Sequence, residues 1–541
     1  MEQEEDKLSN LPKIILHNIL SRLPRVDAAR TSILSKSWLE TWYTFSILCF
    51  CDLQFITRSI QPMEDIAGMF SQPVEDLPRK NNKDFIEYVK SRLLSFWDQR
   101  LAIKEFKFTV LKLHIKSNDL DLCLKLVSES GVEVLDLCLR DGSFGHHEKG
   151  RGECYVLPKG IIEVKSLTKL VLKGVIRVDQ AFMNHSIKFF SLRELHLLRV
   201  FLEDEHAIER LISCCPLIEI ITLMLSRGSM KSLSMHGLQK LKTVYVDGIK
   251  EVYIDEASSV QSLYYCHDCL NAPFKIDFIR CKYLKELLLC LNSTTIITDK
   301  WFLELLPKFP FLETLEIWNC ILSETINISS VQLKYLEVSD CSNLKEANID
   351  APNLLSCKLD GFNGSKPIIS FLNISSQLHV HLTSICFIDD DFDVFCVREL
   401  LQNIKPENVL ISLSLSIYHD LDEPKPVILD IPSPPPSIKH MDLHISSELN
   451  ETLYLYIVDL LLLCCVPETI SWDLDDCDSS RAFVKFFYET LKRRKCDTEC
   501  WWRDSKEVEV TGSTTIDGTM LKSLPYFSTQ DNISYRKYIR L

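Results

Sequence analysis

Glycine is scarce in this chain, 15 residues in 541, and the loops that depend on it are missing. No glycine-rich loop follows a strand to cradle phosphates, no G-x-S-x-G elbow presents a nucleophile, and no H-E-x-x-H pair is spaced to hold zinc. Long apolar runs are missing too. The longest, Leu460 to Val466, is bordered by Asp459 and is too short to span a bilayer. Nor is there an excess of basic charge: 61 Lys and Arg stand against 75 Asp and Glu, a net charge of -14 that repels phosphate backbones and anionic lipid. An enzyme, a nucleic-acid binder and a membrane protein are therefore all disfavoured.

The opening residues Met1 to Asp6 are acidic where a secretory leader needs positive charge and an apolar core. The expected compartment is cytoplasmic, nuclear or both, with the 21 cysteines serving as small buried hydrophobes in a reducing environment. Lys492 to Lys495 forms a basic tract that suits either a nuclear address or a helix C-terminus.

What is present begins with short helices. Leu11, Ile15, Ile19 and Leu23 recur every fourth residue and predict an amphipathic helix that starts near Pro12 and ends at Leu23-Pro24. Asp27 is placed to cap a second helix running to Ile33, and Ser35 a third through Trp38 and Trp42, with Leu34 and Leu39 at hydrophobic-staple spacing. Three short helices in about 40 residues bury little apolar surface alone, so part of it should meet a partner. A polar, proline-punctuated stretch over 60–83 then precedes a helix over Phe85 to Trp97.

Beyond it the chain repeats a phrase, L-x-x-L-x-L with aliphatic substitutions, starting at Val132, Leu167, Leu192, Ile218, Leu241, Val260, Leu284, Leu312, Leu333 and Leu354. The mean spacing of about 25 residues falls within the range of leucine-rich repeats. Further phrases at Leu410 and Ile438 extend the array. Each repeat supplies one short strand and a return segment that cannot bury its apolar side alone, so neighbours stack into a solenoid.

Read together, Asp6 to Pro12, Ile14-Ile15, Ile19 to Pro24, Ala28 to Lys36, Trp38 and Trp42 resemble the F-box of plant F-box/LRR proteins. Phe483 to Lys495, Trp501-Trp502 and Lys506 to Val510 more faintly resemble that family's FBD-like tail. The fold implied is an α/β solenoid: a three-helix F-box over 6–50, a linker loop and helix over 51–100, a curved leucine-rich-repeat array with one short parallel strand per repeat over 101–475, and a C-terminal cap over 476–541. The function implied is a non-catalytic substrate-recognition subunit of a Skp-cullin-F-box (SCF-type) ubiquitin ligase. Leu11, Pro12, Ile15, Ile19, Leu20, Leu23, Pro24, Ile33, Leu34 and Trp38 would bind a Skp-type adaptor and, through it, a cullin. Lys13 replaces the family's usual acid and Ser37 its usual base, which changes the polar rim and keeps the apolar anchors. A ligand-gated receptor, or an F-box scaffold working outside a ligase, would share this architecture.

Strand side chains alternate, so the third, fifth and seventh positions of each phrase should face outward on one side. They include Asp136, Glu194, Asp247, Glu286, Glu316, Glu337 and Asp360, against only Lys169, Lys173 and Lys358. Tyr245, Tyr264, Trp318 and Tyr335 lie among them, with Trp318 and Tyr335 expected about 5 to 10 Å apart on neighbouring strands. Tyr245, Tyr264, Trp318, Tyr335, Glu316 and Glu337 are thus the expected target-binding residues, suited to a protein with a basic segment. A receptor for an inositol polyphosphate would need a ring of bases that these positions lack. Cys266-His267-Asp268-Cys269 has the residue types of a zinc site without a second pair, and Cys320 and Cys341 close their phrases as inward-turned residues. No metal or cofactor is expected.

Overall fold

The computed structural model describes residues 8, 11–52, 82–111, 117–139, 154–178, 189–202, 206–225, 230–255, 257, 259–266, 275–278, 280–361, 366–388, 394–406, 409–419, 435–445, parts of 454–490, 507–511 and 536–540. The polar stretch after residue 52, Lys492 to Lys495, Trp501-Trp502 and His267 to Cys269 lie outside the described residues. Two compact units are present, one of residues 1–262 with 274–281 and one of 263–273 with 282–541.

The first unit opens with three helices, α1 (Lys13–Arg22), α2 (Arg25–Thr31) and α3 (Lys36–Tyr43). Leu16, Leu20, Ala28, Trp38 and Phe45 form their core, with Leu11, Ile19, Leu23, Trp42 and Ile47 packed at its edge. The buried stripe of α1 is therefore rotated from the row of every fourth residue. At 3.6 residues per turn each fourth-residue step drifts by about 40°, which carries Ile15 out to 43% exposure while Leu16 turns inward. Ser35 caps α3 as expected, its hydroxyl accepting from the Trp38 N–H at 3.2 Å. Asp27 is not a cap. Pro24 takes that position, and Asp27 sits inside the first turn of α2, paired with Arg30 at 3.1 Å. That helix stops at Thr31, leaving Ile33 and Leu34 in the turn before Ser35.

From Tyr43 the chain crosses three residues into a strand, Ile47–Cys51, which pairs in parallel with Glu105–Val110. The ladder continues in parallel through Val134–Leu139, Lys169–Gly174, Glu194–Leu198, Ile220–Met224 and Thr243–Asp247. The helix Asn82–Asp98 packs beside its start, as the spacing of Phe85, Val89, Leu93 and Phe96 predicts; all four are buried. In the second unit an equivalent ladder runs through Glu286–Cys290, Thr314–Trp318, Tyr335–Ser339, Ser356–Asp360, His379–Ile388, Leu410–His419, Ser437–Ile445 and Val466–Asp473. Two further strands, Glu507–Thr511 and Arg536–Arg540, pair antiparallel.

Each of the ten phrases from Val132 to Leu354 begins two residues before its strand, while those at Leu410 and Ile438 begin at or inside longer strands. In Thr314–Trp318 the alternation is the expected one: Leu315 and Ile317 are fully buried while Thr314, Glu316 and Trp318 are half-buried. A leucine buried this way contributes roughly 2 to 3 kcal/mol, so the stacked rows are the main cohesive term. Three consecutive strands of the second unit end in a left-handed residue where the chain turns away: Asn319, Asp340 and Gly361 all have positive φ. At Gly361 a Cβ would stand 2.7 Å from Asp340 Cα and 2.8 Å from its N, so only glycine fits.

The return segments are not simple loops. In the first unit Ser232–His236, Glu251–Asp255 and Lys275–Asp277 form a second parallel ladder, as do Thr325–Ser329, Glu346–Asp350, Ile368–Asn373 and Ile404–Lys405 in the second. Among the described residues, no helix is long and apolar enough to cross a membrane.

Candidate functional site

The first candidate surface lies on the three N-terminal helices. Of the ten residues singled out there, Leu20 and Trp38 are core, 1% and 5% exposed. Leu11, Ile19 and Leu23 are half-buried against that core. Pro12, Ile15, Pro24, Ile33 and Leu34 are exposed, Ile33 to 84%. Ile14 belongs with them at 78% exposure and escaped the periodic reading, because it sits outside the row of every fourth residue. Four large aliphatics in water on so small a module have no role in its own packing. The replaced rim residue Lys13 forms a loose, exposed ion pair with Glu40 at 3.9 Å. Leu34 and Leu39, expected to staple α3, are both exposed.

The second candidate surface is the outward side of the parallel ladder in each unit, taken unit by unit. In the first unit its charges are matched within the strip: Lys169 pairs with Glu194 at 2.6 Å and Lys173 with Asp136 at 3.4 Å. Tyr245 lies on the same side of Thr243–Asp247.

In the second unit the parallel register sets like positions opposite one another. Leu288, Glu316, Glu337, Lys358 and His381 form one row, and Cys290, Trp318, Ser339, Asp360 and Thr383 the next. Tyr335 stands opposite Thr314, four residues from Trp318 along the strand direction. The two aromatics are thus about 13 Å apart along that axis and are not the close neighbours expected, since Tyr335 occupies the third position of its phrase and Trp318 the seventh.

Glu337 also departs from expectation. It is only 4% exposed and accepts hydrogen bonds from Tyr335 Oη at 2.5 Å, Lys358 Nζ at 2.8 Å and Ser339 Oγ at 2.9 Å. Burial opposes its ionisation, but these donors outweigh it and hold its carboxyl below the ordinary range. It organises the strip and is not open to a partner. Glu316 is different: it makes no hydrogen bond or ion pair among the described residues. Burial, then the charges of Glu337 and Glu286, push its carboxyl upward despite Lys358. Asp360 is raised in the same way by burial and Asp340. Tyr264 donates to Glu286 at 2.6 Å.

Beside Glu316 on the same strand, the Trp318 indole Nε1 is shielded from solvent and has no acceptor among the described residues. The strip therefore holds a carboxylate lacking a cation and an N–H lacking an acceptor, two positions apart on one face. Lys169, Lys173 and Lys358 are each committed to a carboxylate, as is Lys107 to Glu105, so among the described residues these lysines form no free basic ring. Cys320 and Cys341 are buried with their sulfurs 3.5 Å apart, and hydrogen bonding between them, with burial, pushes the Cys320 thiol far up. Cys266 lies in the strand Ser262–Cys266.

Fold and surfaces together define a repeat protein whose strands stack in parallel, headed by a helical module with an unsatisfied apolar face. Family models match in the same places: an F-box domain over residues 8–50, the LRR repeats of the FBD-associated F-box protein At5g56370 over 120–287, and the LRR domain of At1g61320/AtMIF1 over 252–512. Similar proteins of Arabidopsis thaliana include the F-box/FBD/LRR-repeat protein At1g13570, 26% identical over 290 residues, or 52% of this chain and 60% of that one. The F-box/LRR-repeat protein At1g55660 is 27% identical over 264 residues, 45% of this chain and 61% of that protein. The putative F-box/FBD/LRR-repeat protein At4g00315 is 28% identical over 259 residues, 45% and 50%. The chain thus spans half to three fifths of the length of these relatives. It belongs to the plant family of F-box/LRR-repeat proteins.

Proposed function

We propose that this chain is the substrate-recognition adaptor of an SCF-type ubiquitin ligase, working in the cytoplasm or nucleus without catalytic chemistry of its own. The observation that carries the reading is the aliphatic set Ile14, Ile15, Ile33 and Leu34, exposed beside a helical core that is already filled. Such a set suits a Skp-type adaptor, and through it a cullin. The main ladder's outward strip is the capture surface, centred on Glu316 and Trp318. A Lys or Arg of a target protein would answer the unpaired carboxylate, with the half-buried Trp318 ring as an apolar contact beside it. Ubiquitin transfer then gains from effective concentration, because tethering makes attack by a target lysine intramolecular.

A protein target is favoured over a polyanionic small ligand because the strip's lysines are already neutralised. Co-purification of the full chain with a recombinant Skp-type adaptor tests the docking half, with Ile15→Ser and Ile33→Ser combined as the control. An unaffected complex in the double variant would remove the docking surface.

A further inference from the structure

The helix Asn82–Asp98 reaches both the first strands and the docking module. On the strand side its Phe85 stacks on Phe108 at 5.7 Å, and its Tyr88 meets Phe50 edge-on at 5.9 Å. One turn further on, Arg92 turns to the F-box. Its Nη2 donates to the Trp42 carbonyl at 2.9 Å, while its guanidinium lies over the Tyr43 ring at 4.9 Å and over Phe96 of its own helix at 5.3 Å.

Trp42 is in the last turn of α3, where carbonyls lack intrahelical donors and a cation is favoured. Only Thr44, Phe45 and Ser46 separate that helix from the strand Ile47–Cys51. The strand side of this link is anchored, since the Ser46 carbonyl accepts from Lys104 N at 2.9 Å and Glu105 N at 3.2 Å. On the helix side, Phe45 N shares the same Trp42 carbonyl at 3.3 Å. The short link would otherwise act as a pivot. Arg92 closes it from outside, tying the end of α3 to a helix that is itself packed on the strands.

We infer that Arg92 is a positioning residue: it fixes the direction in which the docking module is held against the first repeats. Resting on the ligase reading above, this sets where the ubiquitin donor meets whatever the repeats present. Lysine is no substitute, because a point ammonium cannot lie flat between two rings while reaching a carbonyl.

The test uses the full chain as wild type, Arg92→Ala and Arg92→Lys. Amide exchange followed by mass spectrometry should show Thr44 to Ser46 exchanging about tenfold faster in Arg92→Ala. Arg92→Lys should restore little of the protection, while α1 and the strands stay protected as in wild type. Unchanged exchange at the link overturns the brace, and so does an equal rise throughout α1 and the first strands, which would make Arg92 a general folding residue.

In a ligase reconstituted with adaptor, cullin and ubiquitin-conjugating enzyme, the probe is the chain's own lysines. Arg92→Ala should bind adaptor as tightly as wild type yet modify a broader set of lysines more slowly. An identical lysine pattern despite a looser link overturns the consequence for transfer. Failure of the wild-type chain to bind adaptor would instead remove the docking reading, and the exchange experiment would still decide the brace.

Discussion

Glu316 and Glu337 stand directly opposite one another on neighbouring strands, yet their carboxyl groups are driven in opposite directions. The difference lies in the next strand. Lys358, opposite Glu337, donates to it, and Tyr335 and Ser339 close around the same carboxylate. Glu316 has no such donor, and burial with the charges of Glu337 and Glu286 outweighs the more distant pull of Lys358. One acid is spent inside the strip and the other makes no hydrogen bond or ion pair among the described residues.

That asymmetry predicts opposite pH responses. A carboxyl raised on folding contributes stability below its unfolded pKa and loses it as pH rises through the folded value, so ionised Glu316 is a penalty at neutral pH. Glu337, lowered on folding, contributes above its unfolded pKa and loses that contribution as pH falls through the folded value. Thermal melts should show Glu316→Gln raising the Tm by about 1 to 3 °C near pH 7, with the gain fading as pH falls below the ordinary carboxyl range. Glu337→Gln should lower it near neutrality and lose its effect on the acid side. Parallel responses of the two variants would show that the ion pair with Lys358 does not separate them.

Target capture should follow Glu316 and Trp318. Trp318→Ala, or Glu316→Lys, should remove target recovered by proximity labelling in cells by about tenfold or more while adaptor recovery is unchanged. Raising salt should weaken the wild-type interaction, because a cation on Glu316 is screened. Normal capture by both variants would move recognition to other residues.

On the helical module, inward and outward residues should separate cleanly. Trp38→Ala should destabilise the module by about 3 to 5 kcal/mol, read as lost protection of α1 and α3 in amide exchange. Ile33→Ser, at an exposed position, should leave that protection intact. Loss of protection in Ile33→Ser would place that side chain in the core.

Gly361→Ala tests the left-handed turn after the strand Ser356–Asp360. Its Cβ would press on the Asp340 backbone, so denaturant unfolding should show a loss of about 2 kcal/mol or more. Gly237→Ala, at a similar positive φ but with open space around the Cβ, should cost about 1 kcal/mol.

The main ladder was legible in the sequence because its phrase repeats two buried leucines around one outward residue, a period that only a strand can satisfy. The second ladder was not, although Leu233 and Met235, Val252 and Ile254, and Ile326 and Ile328 alternate in the same way inside five-residue strands. With only two apolar residues each, they fall below a reading that waits for three. The outward side of the strip was recovered from alternation alone, but alternation carries no information about partners. Glu316 and Glu337 look equivalent until the cross-strand Lys358 distinguishes them. Likewise the row from Leu11 to Leu23 identified a helix but misjudged Ile15, because a step of four residues drifts around a helix of 3.6 per turn.

The central claim, that the exposed aliphatics of the helical module dock a Skp-type adaptor, is tested most directly by isothermal titration calorimetry of the full chain against that adaptor. The wild-type chain should bind, and Ile15→Ser with Ile33→Ser should weaken binding by about two orders of magnitude with an unchanged circular dichroism spectrum. Equal affinity of the two chains, or no heat of binding from the wild type, would contradict the account.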